Sequence, residues 1–183
     1  MNNNNILFCK DGFEFIKNTK NNYSLKFSMK NDNIILPKII DFTLIELIYK
    51  LNNDIYEKIN LEKINEEEAV LVLLLKHLFE DLGLPQRYTH VHIKKITKNN
   101  EIQFISEPIL TGKPIGMPDD SEQLPIKNLT CICHFITNHN VTFTCNIIFE
   151  DGLNIPTYIE KMVGFILFKI FNRVKQFIEN VRM

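Results

Sequence analysis

Short runs in which apolar and polar residues alternate open this chain. In ILFCKDGFEFIK (6–17) two apolar runs flank Asp11-Gly12, a dipeptide suited to the positive φ angles of a tight hairpin turn. A two-residue loop there pairs Phe8 with Phe15. YSLKFSM (23–29) sets Tyr23, Leu25, Phe27 and Met29 against Ser24, Lys26 and Ser28, a strand with one wet face. Asn31-Asp32-Asn33 reads as a turn and residues 34–36 as a short fourth strand ended by Pro37. Residues 6–36 thus read as a β-meander.

Two helices are predicted next. Asp41 can cap one whose apolar positions are Leu44, Ile45, Ile48 and Leu51. For the second, Asn65 serves as the cap and Gly83 as the stop. Glu66, Glu67 and Glu68 fill its first turn, where acidic groups favour the positive end of the helix dipole. The intervening AVLVLLLKHLFEDL is apolar on most sides, so a helix over 65–82 should be largely buried. The period then returns to two. THVHIKKI (89–96) and IQFIS (102–106) form one hairpin, and LTCICHFI (129–136) and VTFTCNIIF (141–149) another. A last helix starts near Asn154 to Thr157, with Pro156 tolerated in its first turn. Its polar residues Lys161, Lys169, Arg173, Gln176 and Asn180 form only a narrow stripe.

The resulting class is α+β: an N-terminal β-meander, two central helices, antiparallel β-hairpins, and a long apolar C-terminal helix packed on the sheet. This order is compatible with a helix-grip arrangement, in which a long C-terminal helix lies across a curved antiparallel sheet. That is a likeness of fold and licenses no function. At 183 residues and 45% hydrophobic content the chain suits a single domain with a full core, preceded by a polar tail over residues 1–5.

One segment breaks the pattern. Residues 107–127, EPILTGKPIGMPDDSEQLPIK, hold four of the 7 prolines and two of the 6 glycines. Connections of this length are uncommon and are usually functional or disordered. We expect an interaction loop, with Met117, Asp119, Asp120 and Glu122 as contact candidates and a basic partner for the acidic patch.

Charge and composition narrow the field. A formal net charge of −1 argues against a general nucleic-acid binder. The 27 Ile, 22 Asn and 18 Lys, against three Arg and no Trp, point to an AT-rich genome, such as that of a protist, a bacterium or a large DNA virus. No apolar run reaches the roughly 20 residues of a membrane span, and MNNNN resembles no signal peptide. The expectation is an intracellular protein in a reducing compartment, its four cysteines free.

The stretch that most resembles chemistry is LTCICHF (129–135). Strand alternation places Leu129, Cys131, Cys133 and Phe135 on one face and His134 on the other. Val141, Phe143, Cys145, Ile147 and Phe149 form the matching apolar face of the partner strand. All of these numbers are odd, so directly paired residues sum to an even number. That favours a three-residue loop, Asn138-His139-Asn140, with Cys133 opposite Cys145 and Cys131 opposite Ile147. Cys131, Cys133 and His134 then cannot close on one ion, and no second knuckle supplies the remaining ligands of a structural zinc. The cysteines read as small hydrophobes of a dry face. A second trio, His90, His92 and Glu107, shares a strand face and could in principle hold a metal, with His90 beside Glu107. The simpler reading is a wetted face continued by Lys94.

No GxSxG elbow, phosphate loop or other catalytic constellation is present. We therefore expect no enzyme, no catalytic residues, no cofactor and no metal. The last helix carries more apolar surface than one sheet contact needs, with Phe168, Phe171 and Ile178 off its main stripe. The leading expectation is a non-catalytic structural or protein-interaction protein that self-associates or docks into a larger assembly through this helix and the 107–127 loop. The alternative is a binding module for an apolar small molecule, held between the sheet and the C-terminal helix. A metal-dependent enzyme using His90, His92 and Glu107 ranks third.

Overall fold

The structure is a computed structural model, and it describes residues 5–78 and 80–182. The predicted polar tail over residues 1–5 lies almost entirely outside these residues. The chain opens as a meander of β1 (Ile6–Lys10), β2 (Phe13–Thr19) and β3 (Asn22–Lys30). Asp11 and Gly12 make the predicted turn with φ of 50° and 80°, and Phe8 pairs with Phe15. Tyr23, Leu25, Phe27 and Met29 are all buried along β3. Residues 34–36 do not form a fourth strand. Leu36–Lys38 is a single 3₁₀ turn, because Pro37 lacks the N–H that a ladder requires. Helix α1 (Phe42–Leu51) follows, and the Asp41 carboxylate caps it by accepting from the Thr43 N–H at 2.7 Å.

The second predicted helix is absent. Residues 65–82 contribute instead to a hairpin of β4 (Tyr56–Lys63) and β5 (Glu68–Leu75). Asn65 caps no helix; its side chain accepts from the N–H groups of Glu67 and Glu68 inside the turn. Among the described residues of this span only Glu80–Leu82 is helical, as one 3₁₀ turn closed by Gly83 at φ 67°. The physical reason is burial on two sides. Ala69, Leu71 and Leu73 face the main core, while Val72 and Leu74 pack on the reverse face with Tyr88 and Met117. A strand covered on both faces reads as a continuous apolar run, which periodicity cannot separate from a buried helix.

Two further hairpin pairs complete the sheet: β6 (Arg87–Lys98) with β7 (Glu101–Pro108), and β9 (Ile126–Thr137) with β10 (Asn140–Phe149). Between them β8 (Glu122–Gln123) adds a short parallel pairing to Arg87 and Tyr88. The main ladder runs β1-β2-β3-β10-β9-β7-β6-β5-β4, with every pairing along it antiparallel. The first β-meander thus joins the last hairpin in the middle of the sheet.

The long helix α2 (Thr157–Asn180) lies against β1, β3 and α1. Phe168, Ile170, Val174 and Ile178 are buried beneath it, and Phe171 packs on the same core from a partly covered position. Phe168 contacts Phe8 and Phe13, with ring centroids 5.2 and 5.3 Å away. The helix comes closest at Gly164, where an added Cβ would stand 2.7 Å from Phe15 Cδ1.

Buried asparagines fasten this helix. Before it starts, Asn21 donates to the carbonyls of Glu150 and Leu153 at 2.8 and 2.9 Å. Midway, Asn52 is 0% exposed, donates to the Ile48 and Ile170 carbonyls, and accepts from Arg173. At the C-terminal end, Asn31 donates to the carbonyls of Ile178 and Val181 at 2.6 and 2.9 Å, satisfying groups that a helix end leaves without partners. Arg173 and Lys169 also pair with Asp54 just after α1. Hydrogen bonds from Arg173, then from Lys169, hold the Asp54 carboxyl well below the usual carboxylate range.

Two outcomes follow from this packing. Gly164→Ala should lower unfolding stability by roughly 1–3 kcal/mol through overpacking, read by urea denaturation; an unchanged midpoint would mean that the helix does not sit this close. Asp54 has a lower pKa folded than unfolded, so its pairing stabilises the protein above the ordinary carboxylate range and is lost as pH falls through the folded value. Asp54→Asn should therefore destabilise at neutral pH and flatten the loss of stability below about pH 4. Equal acid sensitivity in both proteins would contradict that assignment.

Candidate functional site

The chemistry-bearing side chains gather between the concave face of the sheet and α2. Glu160 lies in the first turn of α2, on the side that continues through Gly164 to Phe168, and is only 3% exposed. Its Oε1 accepts from the Tyr23 hydroxyl at 2.5 Å and from Lys17 Nζ at 2.6 Å. The positive end of the helix dipole adds to this stabilisation. Burial, then the bond to Glu160, pushes the Tyr23 phenol well above the ordinary tyrosine range, so it remains a proton donor. Tyr23 stacks on Phe15 at 5.5 Å and meets Phe149 edge-on at 5.9 Å. A buried, charge-assisted polar cluster thus stands at one end of an aromatic interior.

Further along, several apolar residues are only partly buried. Cys133, Phe143 and Cys145 are buried on the concave face. Leu129, Cys131, Ile147 and Phe149 share that face by strand parity, yet each keeps part of its surface uncovered. Leu73 on β5 does the same, as do Val163 and Leu167 on α2 and Leu44, Leu47 and Ile48 on α1. These side chains form an apolar strip, only partly buried, where the sheet meets the two helices. A separate surface groove of about 500 Å³ runs between Leu51 and the α2 residues Arg173, Phe177 and Val181. It is open to solvent and shares none of the strip's sheet residues.

The LTCICHF stretch falls as face parity requires: Cys131 and Cys133 inward with Cys145, His134 outward and exposed. The predicted register is off by two. Cys145 stands opposite Cys131, and Cys133 opposite Phe143. The turn has two residues, Asn138 and His139, and a register shift between Asn140 and Val141 restores even parity. An irregularity of this kind adds a residue to one strand, which loop counting alone cannot foresee. His139 explains the short turn, since its Nδ1 lies 2.8 Å from the Ile34 carbonyl and 3.1 Å from that of Asn31.

His90, His92 and Glu107 lie on the reverse face, where His92 pairs with Glu107 and stands 3.7 Å from Glu68. The predicted pairing of His90 with Glu107 was therefore displaced by two residues. Burial lowers the pKa of His90, and its Nδ1 is buried without a partner. Among the described residues, no three His, Cys, Asp or Glu side chains are placed to share a metal ion.

The 107–127 segment is a strap across this reverse face. Met117 is buried against Leu74 and Tyr88, and Gln123 donates to the carbonyls of His90 and Ile109. Asp119 and Asp120 are exposed, and Glu122 pairs with Arg87 at 2.6 Å. Phe168 and Ile178 lie in the chain's own core, and Phe171 is partly covered by it. The Glu160 cluster and the asparagine fasteners were not singled out from the sequence. An acidic residue on an otherwise apolar helix face was the available signal for the first. Asparagine abundance hid the second.

No family model matches the chain, and no curated protein matches it in sequence. Solved structures do match in fold. Human STARD10 superposes with a TM-score of 0.69 at 9% identity, covering 94% of this chain and 71% of the other. The lipid transfer and protein localization domain of human StarD13 gives 0.64 at 9% identity, covering 92% and 84%. The STAR-related lipid transfer protein from Xanthomonas axonopodis gives 0.58 at 12% identity, covering 90% and 96%. The fold is thus START-like, a mostly antiparallel sheet with a C-terminal helix across it, as the helix-grip likeness implied.

These findings overturn the leading expectation of a structural or assembly protein. Phe168 and Ile178, two of the α2 residues that motivated it, are buried in the chain's own core, and the fold is shared with lipid-transfer domains. Among the described residues, no helix is long and apolar enough to cross a membrane. For the polar cluster, Tyr23→Phe should cost roughly 1–3 kcal/mol, because a buried carboxylate loses a donor. Urea unfolding checks this, and a change well under that range would mean that water replaces the hydroxyl.

Proposed function

We propose that the chain binds an apolar or amphiphilic small molecule, of lipid-like character, between the concave face of its sheet and α2. The observation that carries this reading is a partly buried apolar strip: Leu73, Cys131, Val163 and Leu167 pack against the core, and Leu129 and Ile147 share the sheet face of Cys131 and Cys145. Ligand sites are concave, mostly apolar and equipped with a few polar groups. The polar groups here are Glu160, Tyr23 and Lys17 at the start of α2. The shared fold with lipid-transfer domains supports the same reading.

The reading is of binding without catalysis. In the polar cluster, the Tyr23 hydroxyl and the Lys17 ammonium are both engaged with Glu160. Ligand access at the helix–sheet seam suits α2, whose outer residues Tyr158, Met162 and Phe165 are exposed.

Native mass spectrometry of purified protein, together with titration of a fluorescent long-chain fatty acid, tests this. Wild type should bind. Val163→Trp, which fills the strip from the helix side, should weaken binding at least about tenfold, equivalent to roughly 1.4 kcal/mol, with little change in melting temperature. A wild type that carries no ligand and takes up no probe would reject the reading, as would equal affinity in both proteins.

A further inference from the structure

Three of the four cysteines meet on the concave face, and two of them stand in a special relation. Cys131 on β9 lies directly opposite Cys145 on β10. The Cys145 thiol donates to Cys131 Sγ at 2.9 Å, and both cysteines are free.

The ladder fixes what kind of pair this is. Odd-numbered residues of β10 turn their backbone toward β3, since the Phe149 N–H donates to the Asn21 carbonyl at 2.9 Å and the His139 carbonyl accepts from Asn31 at 3.0 Å. Odd-numbered residues of β9 turn toward β7, since the Phe135 N–H donates to the Asn100 carbonyl at 2.8 Å. Cys131 and Cys145 therefore exchange no backbone hydrogen bond. In such pairs the Cα atoms approach to about 4.5 Å with side chains close together, inside the roughly 4.4–6.8 Å that a disulfide spans. Cys133 has no such partner. It faces Phe143, and its Cα stands two strand residues, about 6.7 Å, from that of Cys131, with the Cβ vectors parallel. Cys9 is exposed on the edge strand β1.

We propose that Cys131 and Cys145 are a redox site that closes to an intramolecular disulfide on exposure to a hydroperoxide. The Cys131 thiolate attacks the peroxide; its O–O bond breaks, and water or an alcohol leaves. Cys131 becomes a sulfenic acid. The Cys145 sulfur then attacks it, the S–S bond forms, the S–O bond breaks and water departs with the remaining thiol hydrogen. The sulfur pair loses two electrons and the peroxide gains them. Cys131 fits the attacking role: it is only partly buried, whereas Cys133 and Cys145 are buried. Hydrogen bonds from Cys133, then from Cys145, also hold its thiol below the ordinary cysteine range. This site does not depend on the ligand reading, because the strand pairing alone places it.

The experiment uses full-length Cys9→Ser protein, which removes intermolecular links through the edge strand. Folded protein is treated with hydrogen peroxide, alkylated without reductant and mapped by mass spectrometry. The expected product has lost two hydrogens and carries a Cys131–Cys145 link that dithiothreitol reverses. Cys133→Ser should form the same link, and Cys145→Ser should leave Cys131 as a sulfenic acid that dimedone captures. Free thiols throughout after peroxide treatment would overturn the proposal, as would a link that runs through Cys133.

Discussion

Everything in this molecule depends on how one face of a long antiparallel sheet is kept from water. The reverse face is met locally, by the strap through Met117 over Leu74 and Tyr88. The concave face is too wide for one helix. Helix α2 covers the β1–β3 end closely, where Gly164 lets the backbone approach the Phe15 ring. Helix α1 takes the remainder, with only Phe42 buried along it. Cover is therefore tight at one end and partial at the other, and the apolar strip lies where the cover is partial.

A helix held by apolar contacts alone could slide along a greasy surface, since such contacts are non-directional. The asparagines supply direction. Asn21, Asn52 and Asn31 each bond to backbone carbonyls before, beside and at the end of α2. Each is nearly inaccessible to water, so losing any of these bonds would strand buried polar groups. Glu160 does the same at the first turn, with an ionic partner in Lys17 that remains partly solvated and so contributes modestly. The helix is thereby fixed in register and tilt.

How much of this could be read from the sequence varies by element. The Asp11-Gly12 hairpin, β3 and the last helix were legible because each shows one face wet and one face dry. Strand β5 was not, because it is dry on both faces and its second cover, Met117, arrives from more than forty residues later in the chain. Face parity placed Cys131, Cys133 and Cys145 together; register failed by two because the irregularity at Asn140 is set by the fit of His139 against Asn31 and Ile34. Three structural asparagines among 22 carry no local mark.

The interior also explains why a START-like fold can coexist with a densely aromatic core. Phe13, Phe27 and Phe143 stack at 4.7 Å spacings beneath the middle of α2, and no ligand could displace them without losing contacts that hold the sheet to the helix. The uncovered residues lie to one side, around Leu129, Cys131 and Ile147. Under the proposed reading an occupant would lie along that partly buried side, bounded by the aromatic stack. Such a site favours a slender chain or flat ring system over a bulky one.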